Sequence, residues 1–254
     1  MGDVMYRNFI FDLYGTLVDI KTDEEQEALW DKMTEFYGFS GAVYEKQELR
    51  EQYAALCKKE TDELCQRIAQ TRGKIVYPEI QIDRIFRLLY EKKGISAGME
   101  LLTATAKMFR ILSTEYIRLY DGALEVLSYL KGHGKHVFLL SNAQYIFTAY
   151  EINYLGLTEY FDGIILSSCE SCKKPDPAFF ETLLCRYKLK KEESVMIGNE
   201  GETDIKGAAS AGIDSLYLSS NLSPEKDDID CIKADYVIPD GNLRDVIRLL
   251  CPVR

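Results

Sequence analysis

The stretch FIFDLYGTLVDI, residues 9–20, decides how the chain folds. Its first part is an apolar run of the kind found in strands that are buried on both faces of a sheet. That run ends at Asp12, and Gly15 follows at a position where glycine permits a tight turn. The stretch therefore predicts a buried strand that carries one carboxylate to the point where the strand gives way to a turn.

Further short apolar runs resemble this one and are bounded by turn residues. They lie at residues 136–142, 161–167, 194–199, 214–219 and 235–239. Helical periodicity fills most of the intervals, at residues 122–134, 143–156, 177–189, 204–213 and 241–250. Alternation of buried strands with helices predicts an α/β fold built on a doubly wound parallel sheet, a Rossmann-like arrangement.

This alternation stops between residues 19 and 120, where the pattern indicates no convincing strand. Apolar residues from Leu49 to Ile68 recur at spacings typical of one helix face. Comparable patterns run through residues 24–37, 78–93 and 99–116. So long a helical interval exceeds any crossover connection, and it predicts an inserted helical domain of residues 19–119. The sheet domain is then formed by residues 1–18 and 120–254.

Composition limits the classes of function. The formal net charge of −10 argues against a protein that binds nucleic acid, because that affinity depends on an excess of Lys and Arg. No apolar run reaches the roughly 18 residues that a membrane helix needs, and the first residues lack the pattern of a signal peptide. We therefore expect a cytoplasmic protein that acts on a small molecule and contacts neither nucleic acid nor membrane.

The cysteines and histidines give little sign of a metal or redox centre. The seven cysteines are an odd number and favour reduced thiols over a disulfide framework. Cys169 and Cys172 are the close pair, but a zinc site needs more ligands than these two supply. The two histidines, His133 and His136, leave little room for acid–base catalysis by histidine.

Polar residues follow four of the predicted strands. Taken singly, each has an ordinary explanation as a turn residue or a helix cap. In an open parallel sheet, however, ligands bind beyond the carboxyl ends of the strands, and these residues occur at such ends in order along the chain. The residues predicted to converge on one crevice are Asp12, Ser141, Asn142, Lys174, Asn199 and Glu200.

Four segments carry a resemblance to a known family. They are FDLYGTL at 11–17, LLSNA at 139–143, KKPDP at 173–177 and IGNEGETDIKGAASAGI at 197–213. In this order they resemble the four motifs of the haloacid dehalogenase-like hydrolases, a superfamily dominated by phosphatases. The resemblance covers nearly the whole chain, because the helical insertion lies where that family carries its cap domain.

The resemblance implies a catalytic site and a cofactor. Asp12 would be a nucleophile that forms an aspartyl-phosphate, and Mg²⁺ together with Lys174 would offset the repulsion between carboxylate and phosphate. The implied catalytic residues are Asp12, Tyr14, Thr16, Ser141 and Lys174; substrate contacts come from Thr16, Ser141, Asn142 and Lys174; and metal ligands come from Asp12, the Tyr14 carbonyl, Asn199, Glu200 and Asp204.

Two positions depart from the pattern of the phosphatases. Tyr14 stands where those enzymes usually carry a second aspartate, which protonates the leaving alkoxide. The dehalogenase branch carries a tyrosine there, since a halide leaves without a proton. Asn199 also replaces a usual aspartate, yet the fourth motif keeps the spacing of the metal-binding form. Phe180 stands where the dehalogenase branch typically has a tyrosine.

Three hypotheses follow. The one we favour is a Mg²⁺-dependent phosphatase that acts on a small phosphorylated metabolite. The alternatives are a 2-haloacid dehalogenase-type hydrolase and a regulatory protein that binds a phosphoryl ligand after losing efficient turnover. In each case the helical domain would contact the substrate, and the candidates for that role are Lys21, Arg50, Tyr53 and Arg72.

Overall fold

The chain alternates strands and helices along most of its length, and the computed structural model describes residues 6–70, 75–227 and 232–251. Within these ranges the strands are β1 (Asn8–Phe11), β2 (Val18–Thr22), β3 (Thr114–Leu119), β4 (His136–Ser141), β5 (Gly163–Leu166), β6 (Ser194–Gly198), β7 (Asp214–Leu218) and β8 (Tyr236–Ile238). The α-helices there are α1 (Glu27–Phe39), α2 (Lys46–Gln70), α3 (Ile82–Lys92), α4 (Met99–Ser113), α5 (Ala123–Gly132), α6 (Tyr145–Tyr154), α7 (Ser167–Glu170), α8 (Pro177–Tyr187), α9 (Lys206–Ala211) and α10 (Asp245–Leu250). None of these helices has the length and apolar character needed to cross a bilayer.

The main sheet is parallel and has the strand order β5-β4-β1-β6-β7-β8. β1 lies in the middle of this order, with Phe11 opposite Leu139 of β4 and Ile197 of β6. Because the three central strands pair without offset, their carboxyl ends meet at one edge. The predicted α/β fold with a parallel sheet is confirmed.

Both faces of the sheet are covered, which explains why its strands are apolar throughout. Side chains alternate between the two faces along β1, so Phe9 and Phe11 pack on one side and Ile10 on the other. The first face joins α5 and α10 in one core cluster. The second face packs against α8 and α9, including Phe179 and Phe180.

The inserted helices α1–α4 have a core of their own. It is built largely from aromatic rings. Trp30 and Phe109 pack edge to face, and the ring centres of Phe86 and Phe109 lie 5.4 Å apart. Phe147, from α6, adds a ring to the same cluster. The helical layer therefore rests on α6 of the sheet layer through shared apolar surface.

A second, two-stranded sheet begins and ends the insertion. β2 and β3 pair antiparallel, with Val18 opposite Leu119 and Ile20 opposite Ile117, so the prediction that residues 19–120 lack a strand is wrong. The helix predicted over 99–116 ends at Ser113, where α4 gives way to β3. Local periodicity missed the pair because each strand is short and its partner lies far away in sequence. The predicted domain limits, residues 19 and 119, fall inside these strands and stay a prediction.

Residues 75–81, which we call the strap, precede α3 and lie against the loop after β5. The amides of Val76 and Tyr77 donate hydrogen bonds to Oδ2 of Asp176, at 2.7 and 3.2 Å. The Asp176 carboxylate also caps α8 through the amide of Ala178. The insertion therefore contacts the sheet layer close to Lys174, a predicted site residue.

Candidate active site

Asp12 lies directly beyond the end of β1. Its amide donates to the Ile197 carbonyl at 2.9 Å, which extends the β1–β6 ladder by one residue. The chain then turns at Gly15, whose φ of +83° lies in the left-handed region. A Cβ at this position would also lie only 2.3 Å from Nδ2 of Asn199. Glycine is thus required here both for the turn and for the close approach of the fourth motif.

Four predicted residues form one buried group, which we call the carboxylate cluster: Asp12, Ser141, Lys174 and Asp204. The Lys174 ammonium lies 2.6 Å from Oδ1 of Asp12 and 2.6 Å from Oδ1 of Asp204. The Ser141 hydroxyl donates to Oδ1 of Asp12 at 3.0 Å. Residues from three distant motifs thus meet at the first motif's aspartate, at the edge of the sheet where the sequence predicted a crevice.

The two oxygens of Asp12 have different surroundings. Both hydrogen bonds to this carboxylate end on Oδ1, and no described residue donates one to Oδ2. Every buried side-chain polar atom in the described ranges has a hydrogen-bond partner. Oδ2 is therefore not fully buried, although Asp12 as a whole is only 7% exposed. One oxygen of Asp12 is held in place, while the other has no donor among the described residues.

The carboxylate cluster carries an excess of negative charge. Burial opposes the charged form of Lys174, but the carboxylates of Asp12 and Asp204 raise its pKa above the ordinary value. Burial raises the pKa of the Asp204 carboxyl, and Lys174 lowers it less than burial raises it. Two buried carboxylates share one ammonium, so one negative charge is left over when both are ionised, and a second cation would offset it.

Asn142 positions Lys174 through the backbone. Its side-chain oxygen accepts from the Lys174 amide at 2.8 Å, and its side-chain nitrogen donates to the Lys174 carbonyl at 3.1 Å. These two bonds use the amide in both of its roles. A contact between Asn142 and a substrate stays a prediction.

Asp204 is presented by an unusual turn. A π-helix, Gly201–Ile205, precedes α9, and Oδ2 of Asp204 accepts from the Glu200 amide at 3.0 Å. A Cβ at Gly198 would lie 2.3 Å from the Asp204 carboxyl carbon, so the end of β6 must be glycine for this approach. The Glu200 carboxylate accepts instead from the Thr203 hydroxyl, at 2.8 Å.

Thr16 and Asn199 are paired with each other beside this cluster. Both are buried, and the Thr16 hydroxyl donates to Oδ1 of Asn199 at 3.3 Å. The amide oxygen of Asn199 thus has a donor from the first-motif loop. A role for Thr16 in holding a transferred group stays a prediction.

Tyr14 turns its side chain away from the carboxylate cluster. Its hydroxyl donates to Glu151 and lies 2.9 Å from the Thr148 hydroxyl, both on α6. Arg110, near the end of α4, pairs with Glu151 at 2.5 Å and lies over the Tyr14 ring. Burial and the Glu151 carboxylate raise the pKa of Tyr14 above its ordinary value. We call Tyr14, Arg110, Thr148 and Glu151 the tyrosine cluster.

The tyrosine cluster contains residues that sequence reasoning missed. Arg110 and Glu151 are among the few charged residues of α4 and α6. They lie on different helices, so no local pattern identifies them as partners. Asp176, which joins the strap to the loop of Lys174, was likewise not predicted beyond its place in the third motif. The one sequence signal that could have identified this cluster is the position of Arg110 in the last turn of α4, next to the strand that ends the insertion.

The predicted specificity residues have partners elsewhere. Lys21 pairs with Glu115 at 2.6 Å on the surface, and Arg50 pairs with Glu27 at 3.0 Å. Tyr53 packs against Trp30 in the helical core, with ring centres 5.3 Å apart. Arg72 lies outside the described residues.

The donor set fits a magnesium ion better than a transition metal. Within the described ranges no three His, Cys, Asp or Glu side chains form a metal-binding group. Mg²⁺ does not need one, because it is usually held by one or two carboxylates and keeps several waters. The carboxylates of Asp12 and Asp204, with the excess charge described above, suit that ion.

The chain is similar in sequence to proteins named as phosphatases. The chain is 28% identical over 177 residues to glyceraldehyde 3-phosphate phosphatase of Pyrococcus furiosus. The aligned region covers 70% of this chain and 71% of that protein. It is 28% identical over 143 residues to phosphoserine phosphatase of Thermus thermophilus, covering 56% of each.

Solved structures share the fold over almost the whole chain. A 2-haloacid dehalogenase from Pseudomonas syringae pv. tomato is 19% identical, with a TM-score of 0.61 and coverage of 96% of this chain and 99% of that one. A HAD phosphatase from Thermococcus onnurineus is also 19% identical, with a TM-score of 0.57 and coverage of 96% and 98%. The model of the haloacid dehalogenase-like hydrolase family matches residues 6–212, and the chain belongs to that family.

Proposed function

We propose that this hydrolase is a Mg²⁺-dependent phosphatase that acts on a small phosphorylated metabolite in the cytoplasm and passes through an aspartyl-phosphate on Asp12. The observation that carries the proposal is the asymmetry of Asp12. Ser141 and Lys174 hold Oδ1, and no described residue donates a hydrogen bond to Oδ2. A fixed carboxylate with one oxygen that no described residue holds, next to a buried cation, is suited to nucleophilic attack on phosphorus.

The residues of the site have separable tasks in this mechanism. Oδ2 of Asp12 attacks phosphorus, while the Lys174 ammonium offsets the negative charge that gathers around it. The Ser141 hydroxyl fixes the rotation of the Asp12 carboxylate. Asp12, Asp204 and neighbouring oxygens that include Asn199 would hold Mg²⁺, which would supply further positive charge at the site. Water then attacks the aspartyl-phosphate and releases phosphate.

The curated relatives support phosphate esters as the substrate class. Two of them are named for the hydrolysis of glyceraldehyde 3-phosphate and phosphoserine, which are both small metabolites. The buried ammonium of Lys174 is also suited to the negative charge of a phosphoryl group.

The test is phosphate release from a panel of phosphorylated metabolites with Mg²⁺ and with EDTA. We expect Asp12→Asn to abolish release and acid-quenched wild-type protein to carry phosphate on Asp12. Asp121→Asn is the matched control, because Asp121 is exposed and pairs with Arg244 away from the site. Full activity of Asp12→Asn would contradict the proposal.

Tyr14 favours one alternative reaction. A halide leaves without a proton, so a site with a tyrosine at this position also suits a dehalogenase. Release of halide from a 2-haloacid in EDTA, without phosphate release from any ester, would support that function. Binding of phosphoryl ligands without either reaction would support a regulatory protein.

A further inference from the structure

The Tyr14 hydroxyl has a single proton, and that proton is already used in a hydrogen bond. It is donated to Glu151, whose carboxylate is also held by Arg110 through Nε at 2.5 Å and through a second nitrogen at 3.3 Å. Arg110 and Glu151 are largely buried, with side chains 17% and 12% exposed. A carboxylate paired in this way with a guanidinium holds the phenol as its donor.

The ring of Tyr14 is fixed as firmly as its hydroxyl. The Arg110 guanidinium lies 5.6 Å from the centre of the Tyr14 ring and 5.4 Å from that of Phe147. The Thr148 hydroxyl lies 2.9 Å from the phenol oxygen. To reach a leaving group beside Asp12, Tyr14 would have to abandon Glu151 in a partly buried site, which leaves a charged group unsatisfied.

The other titratable groups near Asp12 are engaged in hydrogen bonds or lie too far from it. Asp204 accepts from Lys174 and from the Glu200 amide, and the Glu200 carboxylate accepts from Thr203. Lys174 donates to two carboxylates at 2.6 Å. His136 begins β4, at the opposite end of the strand from Ser141. Among the described residues, no carboxyl or hydroxyl group next to Asp12 is free to give a proton to a departing oxygen, and Lys174 contributes its charge through its third N–H.

General acid catalysis contributes roughly 10²–10⁴-fold when the leaving group is a poor one. We propose, on the basis of the phosphatase function proposed above, that the substrates are phosphates whose leaving group departs as a stable anion without a proton. Acyl phosphates are the principal class, and phosphate esters of ordinary alcohols are poor substrates.

The two chemical steps balance without an acid. Oδ2 of Asp12 forms a bond to phosphorus while the bond from phosphorus to the acyl oxygen breaks, and its electron pair leaves with the carboxylate. Water then adds its oxygen to phosphorus and breaks the bond to Asp12. The aspartate carboxylate is regenerated, and both protons of the water stay on the released dihydrogen phosphate.

The decisive measurement is kcat/KM of the wild-type protein with Mg²⁺ for para-substituted phenyl phosphates, which differ in the pKa of the phenol but hardly in shape. This ratio reports the first bond-breaking step even when hydrolysis of the aspartyl-phosphate limits kcat. We expect a fall of about 100-fold or more from the most acidic phenol to the least acidic. A fall of less than about tenfold would overturn the inference.

Natural substrate classes give a second measurement. We expect acetyl phosphate, corrected for its spontaneous hydrolysis, to exceed glyceraldehyde 3-phosphate and phosphoserine in kcat/KM by about 100-fold or more. Equal turnover of the three would show that the chain behaves like its named relatives and that the inference is wrong.

Variants at position 14 test the cause. Tyr14→Asp restores a carboxyl group, so we expect the dependence on phenol pKa to flatten and turnover of alkyl phosphates to rise by about tenfold or more. Tyr14→Phe keeps the ring without the hydroxyl, and we expect it to keep the steep dependence. Tyr154→Phe, an exposed tyrosine of α6, is the matched control. A dependence that steepens in Tyr14→Phe would identify Tyr14 as the acid and overturn the inference.

Failure of this inference differs from failure of the proposed function. If no phosphate ester or acyl phosphate is hydrolysed and Asp12 never carries phosphate, the phosphatase function itself is wrong. If phosphate is released through Asp12 with a shallow dependence on the leaving group, the function stands and only the substrate class is wrong.

Discussion

Two charged clusters lie on either side of the same short loop, and they differ in their balance of charge. The carboxylate cluster sets Asp12 and Asp204 against Lys174, which leaves one negative charge in excess when both carboxylates are ionised. The tyrosine cluster sets Glu151 against Arg110 and completes the pair with a neutral phenol. Residues 12 and 14, only two positions apart, thus belong to opposite kinds of site.

The difference separates a site that needs a ligand from one that does not. A buried group with excess charge costs folding free energy unless a counterion binds, so the carboxylate cluster is stabilised by a cation. A balanced pair in which no buried polar atom lacks a partner requires nothing further, and it fixes α4 to α6. Chemistry is therefore expected at the first cluster and positioning at the second.

The largest effect is expected from removing the shared cation of the carboxylate cluster. Lys174→Met leaves the Asp12 and Asp204 carboxylates buried without a partner, which lowers the free energy of unfolding by about 3–5 kcal/mol. Urea unfolding in EDTA measures the loss. Asp204→Asn in the same chain removes one of the two unpaired charges and restores part of the stability. An unchanged midpoint in Lys174→Met would show that the carboxylates are not ionised together.

The second-largest effect is expected from magnesium, which should stabilise the folded state through the carboxylate cluster and not through the tyrosine cluster. At a concentration about 100 times its dissociation constant, Mg²⁺ stabilises the folded state by about 2.7 kcal/mol. We expect this gain in wild type and its loss in Asp204→Asn, whereas Arg110→Met keeps it. Thermal unfolding with and without Mg²⁺ makes the comparison, with Asp121→Asn as the control. An equal gain in Asp204→Asn would place the ion elsewhere.

Breaking the tyrosine cluster should lower the free energy of unfolding by a smaller amount, and a second substitution should restore most of it. Arg110→Met leaves Glu151 without its cation, and we expect a loss of about 2–3 kcal/mol because the pair retains some exposure. Combining it with Glu151→Leu removes the unpaired charge, so the double variant should recover most of that loss. Urea unfolding of the four proteins completes the cycle. Additive losses would show that the two residues are not coupled.

Sequence predicted the carboxylate cluster much better than the tyrosine cluster. Asp12, Ser141 and Lys174 follow strands or lie in motifs of fixed order, and a parallel sheet brings strand ends to one edge whatever the helices do. Arg110 and Glu151 meet only because α4 packs on α6, and that contact depends on the tertiary arrangement of the insertion. The strands β2 and β3 were not predicted for the same reason, because the local sequence of each strand does not indicate the strand with which it pairs.

The smallest effect is expected from the phenol of Tyr14 at alkaline pH. Burial and Glu151 hold the pKa of Tyr14 above its ordinary value of 10.0, so the folded protein keeps the proton where the unfolded chain loses it. The stabilising contribution is complete below pH 10 and declines as the pH rises, by up to about 1.4 kcal/mol per pH unit. We expect Tyr14→Phe to lose less stability than wild type between pH 9 and pH 11, measured by urea unfolding in EDTA. Other buried tyrosines titrate alike in both proteins, so the difference isolates Tyr14, and parallel pH profiles would show that its hydroxyl ionises as freely in the folded state as in the unfolded one.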